Sequence, residues 1–197
     1  MHEGLQMSGW AIWITGMPGS GKSTLARLVL REFLARHVSV QVLSIEMVRE
    51  LLTPRPKYTE EERDKVYGAL VFTAKLLARN GANVIIDATA NRRRYRSAAR
   101  RSIRRFAEVY LQCPVDVCIE RERRRKRTFG APSGIYLKAK TGASRTVPGI
   151  GVPYEAPFSA ELTLDTSRAR PSECAEKIVK MVLAKFAVGR RLRKAKR

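Results

Sequence analysis

Residues 16–23 read GMPGSGKS and match the pattern GxxxxGK[ST] at every fixed position. The motif follows a short apolar run, residues 11–15, and opens a stretch with helical apolar spacing, residues 22–37. A glycine-rich turn between a strand and a helix directs backbone N–H groups and a helix N-terminus at phosphate oxygens. This segment therefore predicts a phosphate-binding loop, the P-loop, that takes ATP and Mg²⁺ as cofactors.

The residues of the P-loop have distinct predicted roles. Lys22 is expected to place a positive charge on the β- and γ-phosphates and is predicted to be catalytic, and Ser23 is the expected Mg²⁺ ligand. The glycines allow the backbone to wrap closely around a phosphate. The predicted ATP-binding residues here are Gly16, Gly19, Ser20, Gly21, Lys22, Ser23 and Thr24.

Short apolar runs alternate with helical patterns along the whole chain. The predicted strands are residues 11–15, 38–44, 83–87, 106–112 and 162–165. The predicted helices are residues 22–37, 59–80, 92–105, 115–127 and 171–188, with room for a short helix after the second strand. This alternation predicts an α/β fold of the P-loop NTPase type, with a parallel sheet flanked by helices on both faces.

The length of 197 residues suits one domain. We expect an N-terminal extension at residues 1–9, a single P-loop kinase domain at 10–188 and a basic tail at 189–197. Residues 129–157 are rich in Gly, Pro, Ser and Thr and predict a long loop within a mobile lid at about 121–157. Because no apolar run could span a bilayer and residues 1–9 lack a signal-peptide core, we expect a cytoplasmic protein without membrane contact.

The net charge of +21 is concentrated in three clusters. Residues 92–105 hold eight arginines, residues 121–127 hold five arginines and a lysine, and residues 190–197 hold six basic residues. Such clusters suit either a nucleic-acid partner or a small anionic nucleotide substrate. Both interpretations stay open at the level of composition.

Two carboxylates follow predicted strands next to the P-loop. Glu46 could accept the proton of an acceptor hydroxyl or hold Mg²⁺ through water. Asp87 ends a buried strand, where a carboxylate commonly holds Mg²⁺ through water, so Ser23 and Asp87 are the predicted metal-binding residues. Glu46 and Asp87 are predicted to be catalytic together with the loop lysine. Arg49 and Arg63 could bind an anionic acceptor through paired hydrogen bonds.

Three segments resemble the adenylylsulfate kinase family of P-loop kinases. Residues 10–16 (WAIWITG) resemble its first strand, residues 134–140 (GIYLKAK) its GLYxKAR segment, and residues 153–166 (PYEAPFSAELTLDT) its PYExP…ELxLDT ending. The resemblance spans residues 10–166. It implies transfer of the ATP γ-phosphate to the 3′-hydroxyl of adenylyl sulfate, in sulfate assimilation, by an enzyme with a lid and a possible homodimeric state.

The resemblance also implies further binding residues. Residues 58–63 (YTEEER) resemble the family's aromatic–Ser–Glu–Glu–x–Arg stretch. Thr166 is placed near the ATP adenine. Acceptor binding is assigned to Arg49, Tyr58, Arg63, Arg94, Lys138, Lys140 and Tyr154.

The acceptor side departs from the family pattern at five positions. Ser44 and Glu46 stand where the family has the two aspartates of DGDxxR. Val66 replaces an asparagine, and Val147 replaces an aromatic residue that stacks on the substrate adenine. Asn91 replaces the serine of ISPxR, which removes any phosphoserine intermediate at that position.

Two other functions stay open. Residues 84–91 (VIIDATAN), followed by arginines, resemble the DAT-N…R segment of P-loop kinases that act on aminoacyl-tRNA, polynucleotide ends or sugars. Ser44 in place of an aspartate supports a third interpretation, an ATP- or nucleic-acid-binding protein without transfer activity. Release of ADP on addition of adenylyl sulfate would separate the first interpretation from the other two.

Overall fold

The computed structural model describes residues 8–125 and 130–186, which form a three-layer α/β fold. Five parallel strands make one sheet in the order β2-β3-β1-β4-β5. The strands are β1 Ala11–Gly16, β2 Val40–Ser44, β3 Asn83–Asp87, β4 Phe106–Gln112 and β5 Leu162–Asp165. The predicted parallel sheet is therefore confirmed.

Helices cover both faces of this sheet, as predicted. Those in the described residues are α1 Lys22–Leu34, α2 Ile45–Leu52, α3 Glu60–Arg79, α4 Arg93–Ser102, α5 Val115–Arg124, α6 Ile135–Lys140 and α7 Pro171–Phe186. The core on one face includes side chains of α1 and α7, and the core on the other includes side chains of α3 and α4. In the part of the chain that the structure describes, no helix is long and apolar enough to cross a membrane.

The central strand β1 is buried on both faces, which explains its continuous apolar sequence. Successive side chains of a strand point to opposite faces. Ile12 and Ile14 accordingly join the core under α1 and α7, and Ala11 and Trp13 join the core under α3 and α4. The buried indole of Trp13 donates to the carbonyl of Ala88 at 2.9 Å, so its polar atom is satisfied.

Helix α3 begins at the predicted capping signal. Thr59 is the N-cap residue, and its hydroxyl accepts the Glu62 N–H at 3.2 Å. The Glu62 carboxylate accepts from the backbone N–H groups of Lys57 and Tyr58, upstream of the cap residue itself. The first turn of α3 thus fixes the backbone of the preceding segment, which carries the predicted site residue Tyr58.

Several predicted boundaries are corrected by the structure. Helix α1 ends at Leu34 instead of residue 37, because a turn with His37 at φ 54° closes it. The predicted loop at 129–157 contains α6, which starts after Gly134 at φ 65°. The predicted helix 115–127 ends at Arg124, because the C-cap residue Arg125 is extended. Residues 1–7 of the predicted extension, residues 126–127, and the predicted tail at 189–197 lie outside the described residues.

Candidate active site

The P-loop lies at the carboxyl end of β1, and its glycines are required for two separate reasons. Gly19 has φ 81°, and a Cβ there would lie 2.4 Å from the Cys118 carbonyl oxygen. Gly21 has φ 99° and is the N-cap of α1. L-residues with side chains disfavour both backbone angles, and the first position also has no space for a side chain. The loop therefore depends on glycine for its path.

Lys22 begins α1 and turns back over the loop. Its Nζ donates to the carbonyls of Gly16 at 3.1 Å and Met17 at 3.0 Å. Burial lowers the pKa of Lys22, and the charges of Asp87 and Glu46 oppose that effect. The lysine is therefore held as a fixed charge between the loop and two carboxylates.

Asp87 is placed beside the P-loop by the sheet register. It pairs with Ile14 of β1 and with Ser44 of β2, and it lines the same cavity as Ser23. Burial raises the pKa of Asp87, whereas the nearby Lys22 charge and Ser23 hydroxyl favour the charged form. The site thus joins a hydroxyl and a carboxylate, both hard oxygen ligands that suit Mg²⁺.

Glu46 lies in the first turn of α2, which Ser44 caps. The Ser44 hydroxyl accepts the Glu46 N–H at 3.1 Å, so this serine has a structural role in the segment that departs from the family pattern. Burial raises the pKa of Glu46, and the positive charges of Arg49 and Lys22 oppose the shift. A half-buried carboxylate with a raised pKa is suited to accept a proton.

A cavity of about 520 Å³ extends from the P-loop across α2 and the start of α3 to residues 131–148. This volume falls in the usual range for small-molecule sites. Most predicted site residues line it: Gly19, Ser20, Gly21, Lys22, Ser23, Thr24, Glu46, Arg49, Tyr58, Arg63, Asp87, Lys138 and Thr166. Gly16 lies behind the loop, against Ser20 and Leu111.

Two buried arginines lie near an aromatic ring in another part of the cavity lining. The guanidinium carbon of Arg49 lies 4.8 Å from the Tyr58 ring centroid, and that of Arg63 lies 6.0 Å from it. The Nη1 of Arg49 is buried and has no hydrogen-bond acceptor among the described residues. This wall can offer charge and hydrogen bonds to an anion, and a ring face to a base.

The backbone around Tyr58 is held tightly. Tyr58 has φ 58°, an unfavourable angle for a residue with a side chain. Its N–H donates to Glu62 at 2.6 Å, and its carbonyl accepts from Arg63 Nε at 3.2 Å. Arg63 also donates to Asn91 Oδ1 at 3.4 Å and to the Thr146 carbonyl at 2.7 Å. Asn91 therefore positions an arginine of the wall.

Two hydrogen bonds connect the P-loop to later parts of the chain, one to α6 and one to the residue that follows β5. The Tyr136 hydroxyl of α6 donates to the Pro18 carbonyl at 2.8 Å. Thr166 is buried, and its hydroxyl donates to the Ser20 carbonyl at 3.0 Å. These contacts bring α6 and the end of β5 to the cavity, although both are distant from the loop in sequence.

Comparison with known proteins identifies the family of this chain. The family model for adenylylsulphate kinase matches residues 8–165. This chain belongs to the adenylylsulphate kinase family. The predicted resemblance and the predicted P-loop NTPase fold are thereby confirmed.

Relatives and solved structures agree with this family. A probable adenylyl-sulfate kinase from Pyrococcus abyssi is 34% identical over 174 residues, covering 88% of this chain and 95% of the relative. An adenylyl-sulfate kinase from Halothermothrix orenii is 34% identical, covering 87% and 88%. An APS kinase from Mycobacterium tuberculosis, solved in complex with AMPPNP and APS, superposes with a TM-score of 0.78 at 29% identity, covering 89% of this chain and 98% of that one.

Three residues assigned from the adenylylsulphate kinase resemblance do not line the cavity. Arg94 is exposed and donates to Asp64 at 2.6 Å on the outer surface. Lys140 is exposed at the end of α6. The hydroxyl of Tyr154 forms a hydrogen bond of 2.8 Å with Thr15 in β1, and burial raises its pKa. In this structure Tyr154 supports the sheet, and the other two side chains lie at the protein surface.

The structure also brings residues to the cavity that the sequence analysis did not single out. Tyr67 lines it, and its hydroxyl accepts the N–H of Ala90 at 2.8 Å. Tyr67 follows Arg63 by four residues on α3, so helical spacing could have indicated it. Arg121 and Arg125 also line the cavity. Both belong to the basic cluster at residues 121–127, and sequence spacing could not distinguish them from their neighbours.

Proposed function

We propose that the chain is an ATP:adenylyl-sulfate 3′-phosphotransferase that uses Mg²⁺ and acts in sulfate assimilation. The observation that carries the proposal is a single cavity with two chemically different walls. One wall presents Lys22 and Asp87 at the P-loop. The other presents Tyr58 together with Arg49 and Arg63, whose guanidinium groups lie near its ring. The first suits a nucleoside triphosphate, and the second suits an acceptor with both a base and a strong negative charge.

The family supports the choice of acceptor. The Pyrococcus abyssi and Halothermothrix orenii relatives are named adenylyl-sulfate kinases, and the Mycobacterium tuberculosis structure holds AMPPNP and APS together. Arg49 and Arg63 can form charge-assisted hydrogen bonds to the phosphate–sulfate part of such an acceptor. Tyr58 can stack on its adenine, with Val147 as an aliphatic contact elsewhere in the cavity.

In the proposed reaction, the 3′-oxygen of the acceptor forms a bond to the γ-phosphorus of ATP. The bond between that phosphorus and the β–γ bridging oxygen breaks, and ADP leaves with the electron pair. The hydroxyl proton passes to the Glu46 carboxylate. Lys22 stabilises the negative charge that develops on the phosphate oxygens.

The donor set next to Lys22 fits Mg²⁺. Ser23 and Asp87 both line the cavity beside Lys22, and their oxygens are the kind of ligand that this ion prefers. No group of three or more His, Cys, Asp or Glu residues in the described part of the chain could hold a metal alone. Phosphate oxygens and water would then complete the coordination, as is usual for this ion, and the bound ion would neutralise charge on the triphosphate.

Release of ADP on addition of adenylyl sulfate tests the proposal. The purified chain with ATP and Mg²⁺ should turn over adenylyl sulfate, and Lys22→Ala should abolish turnover by removing the fixed charge. Asp87→Asn should raise the Mg²⁺ concentration needed for half-maximal rate. In parallel reactions, nucleosides, sugars and tRNA replace the acceptor. ADP release with one of these and none with adenylyl sulfate would transfer the assignment to another acceptor.

A further inference from the structure

Asn91 is buried behind the part of the cavity lining that contains Arg63, and its side chain bonds to two different parts of the chain. It is only 2% exposed and, among the described residues, is not one that lines the cavity. Its Oδ1 accepts from Arg63 Nη1 at 3.4 Å, and its Nδ2 donates to the Pro153 carbonyl at 3.3 Å. Any effect of Asn91 on a bound ligand must therefore pass through another residue.

The chemistry of the two partners fixes the orientation of this amide. A guanidinium group can only donate hydrogen bonds, and a backbone carbonyl can only accept them. The Oδ1 atom must therefore face Arg63, and the NH₂ group must face the Pro153 carbonyl. Because an amide carries an acceptor and a donor on separate arms, this one side chain satisfies both partners at once.

Arg63 is held by protein acceptors at all three of its nitrogens. Its Nε donates to the Tyr58 carbonyl at 3.2 Å and its Nη2 to the Thr146 carbonyl at 2.7 Å, and its Nη1 makes the bond to Asn91. Each outer nitrogen carries two N–H groups, so each has a second one that these bonds do not use. Two of the three acceptors are backbone carbonyls, and Asn91 is the one side chain among them that a substitution can remove.

The same asparagine connects this arginine to the segment that leads to β5. The backbone carbonyl of Asn91 accepts the Glu155 N–H at 2.8 Å, close to the bond between its side chain and Pro153. The Glu155 carboxylate in turn accepts the N–H of Arg93, in the first turn of α4, at 2.8 Å. This segment is thus fixed to the start of α4, and Asn91 gives the arginine a support outside its own helix.

The sequence departs from the family pattern at Asn91 and at a second position on α3. The family pattern has a serine where Asn91 stands and an asparagine where Val66 stands. Val66 is fully buried in the core under α3 and α4, so its side chain offers no hydrogen bond to the cavity. In this chain the amide that serves this part of the site therefore comes from the loop after β3.

We propose that Asn91 is a positioning residue that sets the affinity for the acceptor by holding Arg63 in its binding orientation. This inference rests on the proposed function, because it concerns the acceptor side of the same site. A side chain that is already ordered loses less conformational freedom when the ligand binds, so a preorganised arginine binds an anion more tightly. The bonds of Asn91 in the described part of the chain do not include a P-loop residue, so nucleotide binding should not depend on it.

A double-mutant cycle tests whether Asn91 acts through Arg63. Isothermal titration would measure adenylyl sulfate binding, with AMPPNP and Mg²⁺ present, to the original chain, Asn91→Ala, Arg63→Gln and the double variant. We expect Asn91→Ala to weaken adenylyl sulfate about fivefold to tenfold and AMPPNP less than about twofold. In the Arg63→Gln background the same substitution should have less than about a twofold effect, because the arginine that it positions is gone. Equal losses in both backgrounds would overturn the inference.

Asn83 provides the matched control, because it lies at the other end of β3 and its amide also joins two backbone groups. Its Nδ2 donates to the Ser39 carbonyl at 2.9 Å, and its Oδ1 accepts the Trp10 N–H at 3.3 Å. Asn83→Ala should lower thermal stability without changing the affinity for adenylyl sulfate. In turnover, Asn91→Ala should raise the KM of adenylyl sulfate about fivefold to tenfold and leave the KM of ATP within about twofold. An equal rise in both KM values would contradict a role on the acceptor side.

A measurement without acceptor separates this inference from the proposed function. In proton NMR spectra, solvent exchange of the Arg63 Nε–H should be about fivefold faster in Asn91→Ala and unchanged in Asn83→Ala, and loss of the signal in Arg63→Gln identifies it. Unchanged exchange in Asn91→Ala would overturn the inference, even if adenylyl sulfate is phosphorylated. If the original chain binds AMPPNP but neither binds nor phosphorylates adenylyl sulfate, the proposed function fails, while the exchange rates still decide whether Asn91 holds this arginine.

Discussion

At the scale of single residues, burial is the largest influence on the pKa values of the two carboxylates proposed for the active site. Glu46 and Asp87 both have raised pKa values because their charged forms lose water, and Lys22 partly offsets this in each case. A base with a raised pKa accepts a proton more readily once it is ionised. The same burial that prepares Glu46 for this role also restricts the pH range in which it works.

The pH dependence of turnover should therefore report Glu46. We expect kcat to fall on the acid side with a midpoint above 4.5, the ordinary value for a glutamate, because the carboxylate must be ionised to take the proton. Glu46→Gln should lower kcat about 10²-fold and flatten this acid limb. The exposed Glu50 on the same helix gives the control Glu50→Gln. An acid limb that persists unchanged in Glu46→Gln would assign it to another group.

Sequence patterns predicted the P-loop side of the site better than the lid side. The residues of the P-loop are contiguous, and Asp87 ends a strand whose position follows from its apolar run, so local pattern was enough. The orientation of Tyr154 toward Thr15 and the anchoring of Arg125 by Pro132 depend on tertiary contacts. Helix α6 was missed because it has only six residues within a segment rich in Gly and Ser.

At the scale of elements, one carboxylate joins three parts of the fold. Glu161 precedes β5, and its carboxylate accepts hydrogen bonds from both outer nitrogens of Arg100 in α4, each at 2.7 Å. It also accepts the Glu108 N–H of β4 at 2.7 Å and lies 3.3 Å from the Lys185 ammonium of α7. Burial opposes its ionisation, but these hydrogen bonds and charges lower its pKa to about 2. The edge of the sheet is therefore stabilised by a charged Glu161.

Stability should depend on pH through this residue. A lowered folded-state pKa means that Glu161 contributes stability above about pH 4.5, and that this is lost as the pH falls toward 2. The ion pair between Glu161 and Arg100 is partly exposed, so solvent weakens its contribution to stability. We therefore expect Glu161→Gln to lower the free energy of unfolding by about 1–2 kcal/mol at pH 7. Urea midpoints for the two chains should converge only as the pH approaches 2. The exposed Glu176, paired with Lys180, gives the control Glu176→Gln, and equal effects of both substitutions would contradict the assignment.

At the scale of the whole molecule, the positive charge is neutralised unevenly. Arginines of the 92–105 cluster that face α3 and β4 pair with carboxylates, as Arg94 does with Asp64 and Arg96 with Glu108. A second cavity of about 380 Å³ is lined by residues that precede β1 and β4 and by the end of α3. Its basic residues are Lys75, Arg79, Arg104 and Arg105. None of them forms an ion pair with a carboxylate of residues 8–125 or 130–186.

This face, at the amino end of the sheet, should bind polyanions electrostatically without affecting phosphate transfer at the opposite end. The affinity for a single-stranded oligonucleotide, measured by fluorescence anisotropy, should fall steeply with salt because bound phosphates release counterions. Arg79→Gln with Arg104→Gln should reduce the slope of log K against log salt by about 1.4, or about 0.7 for each lost contact. The control is Arg168→Gln with Arg170→Gln, because both arginines are exposed near the start of α7 and pair with Asp165 and Glu173. An equal reduction in both double variants would show that the net charge of +21 acts as a whole and that no particular face is responsible.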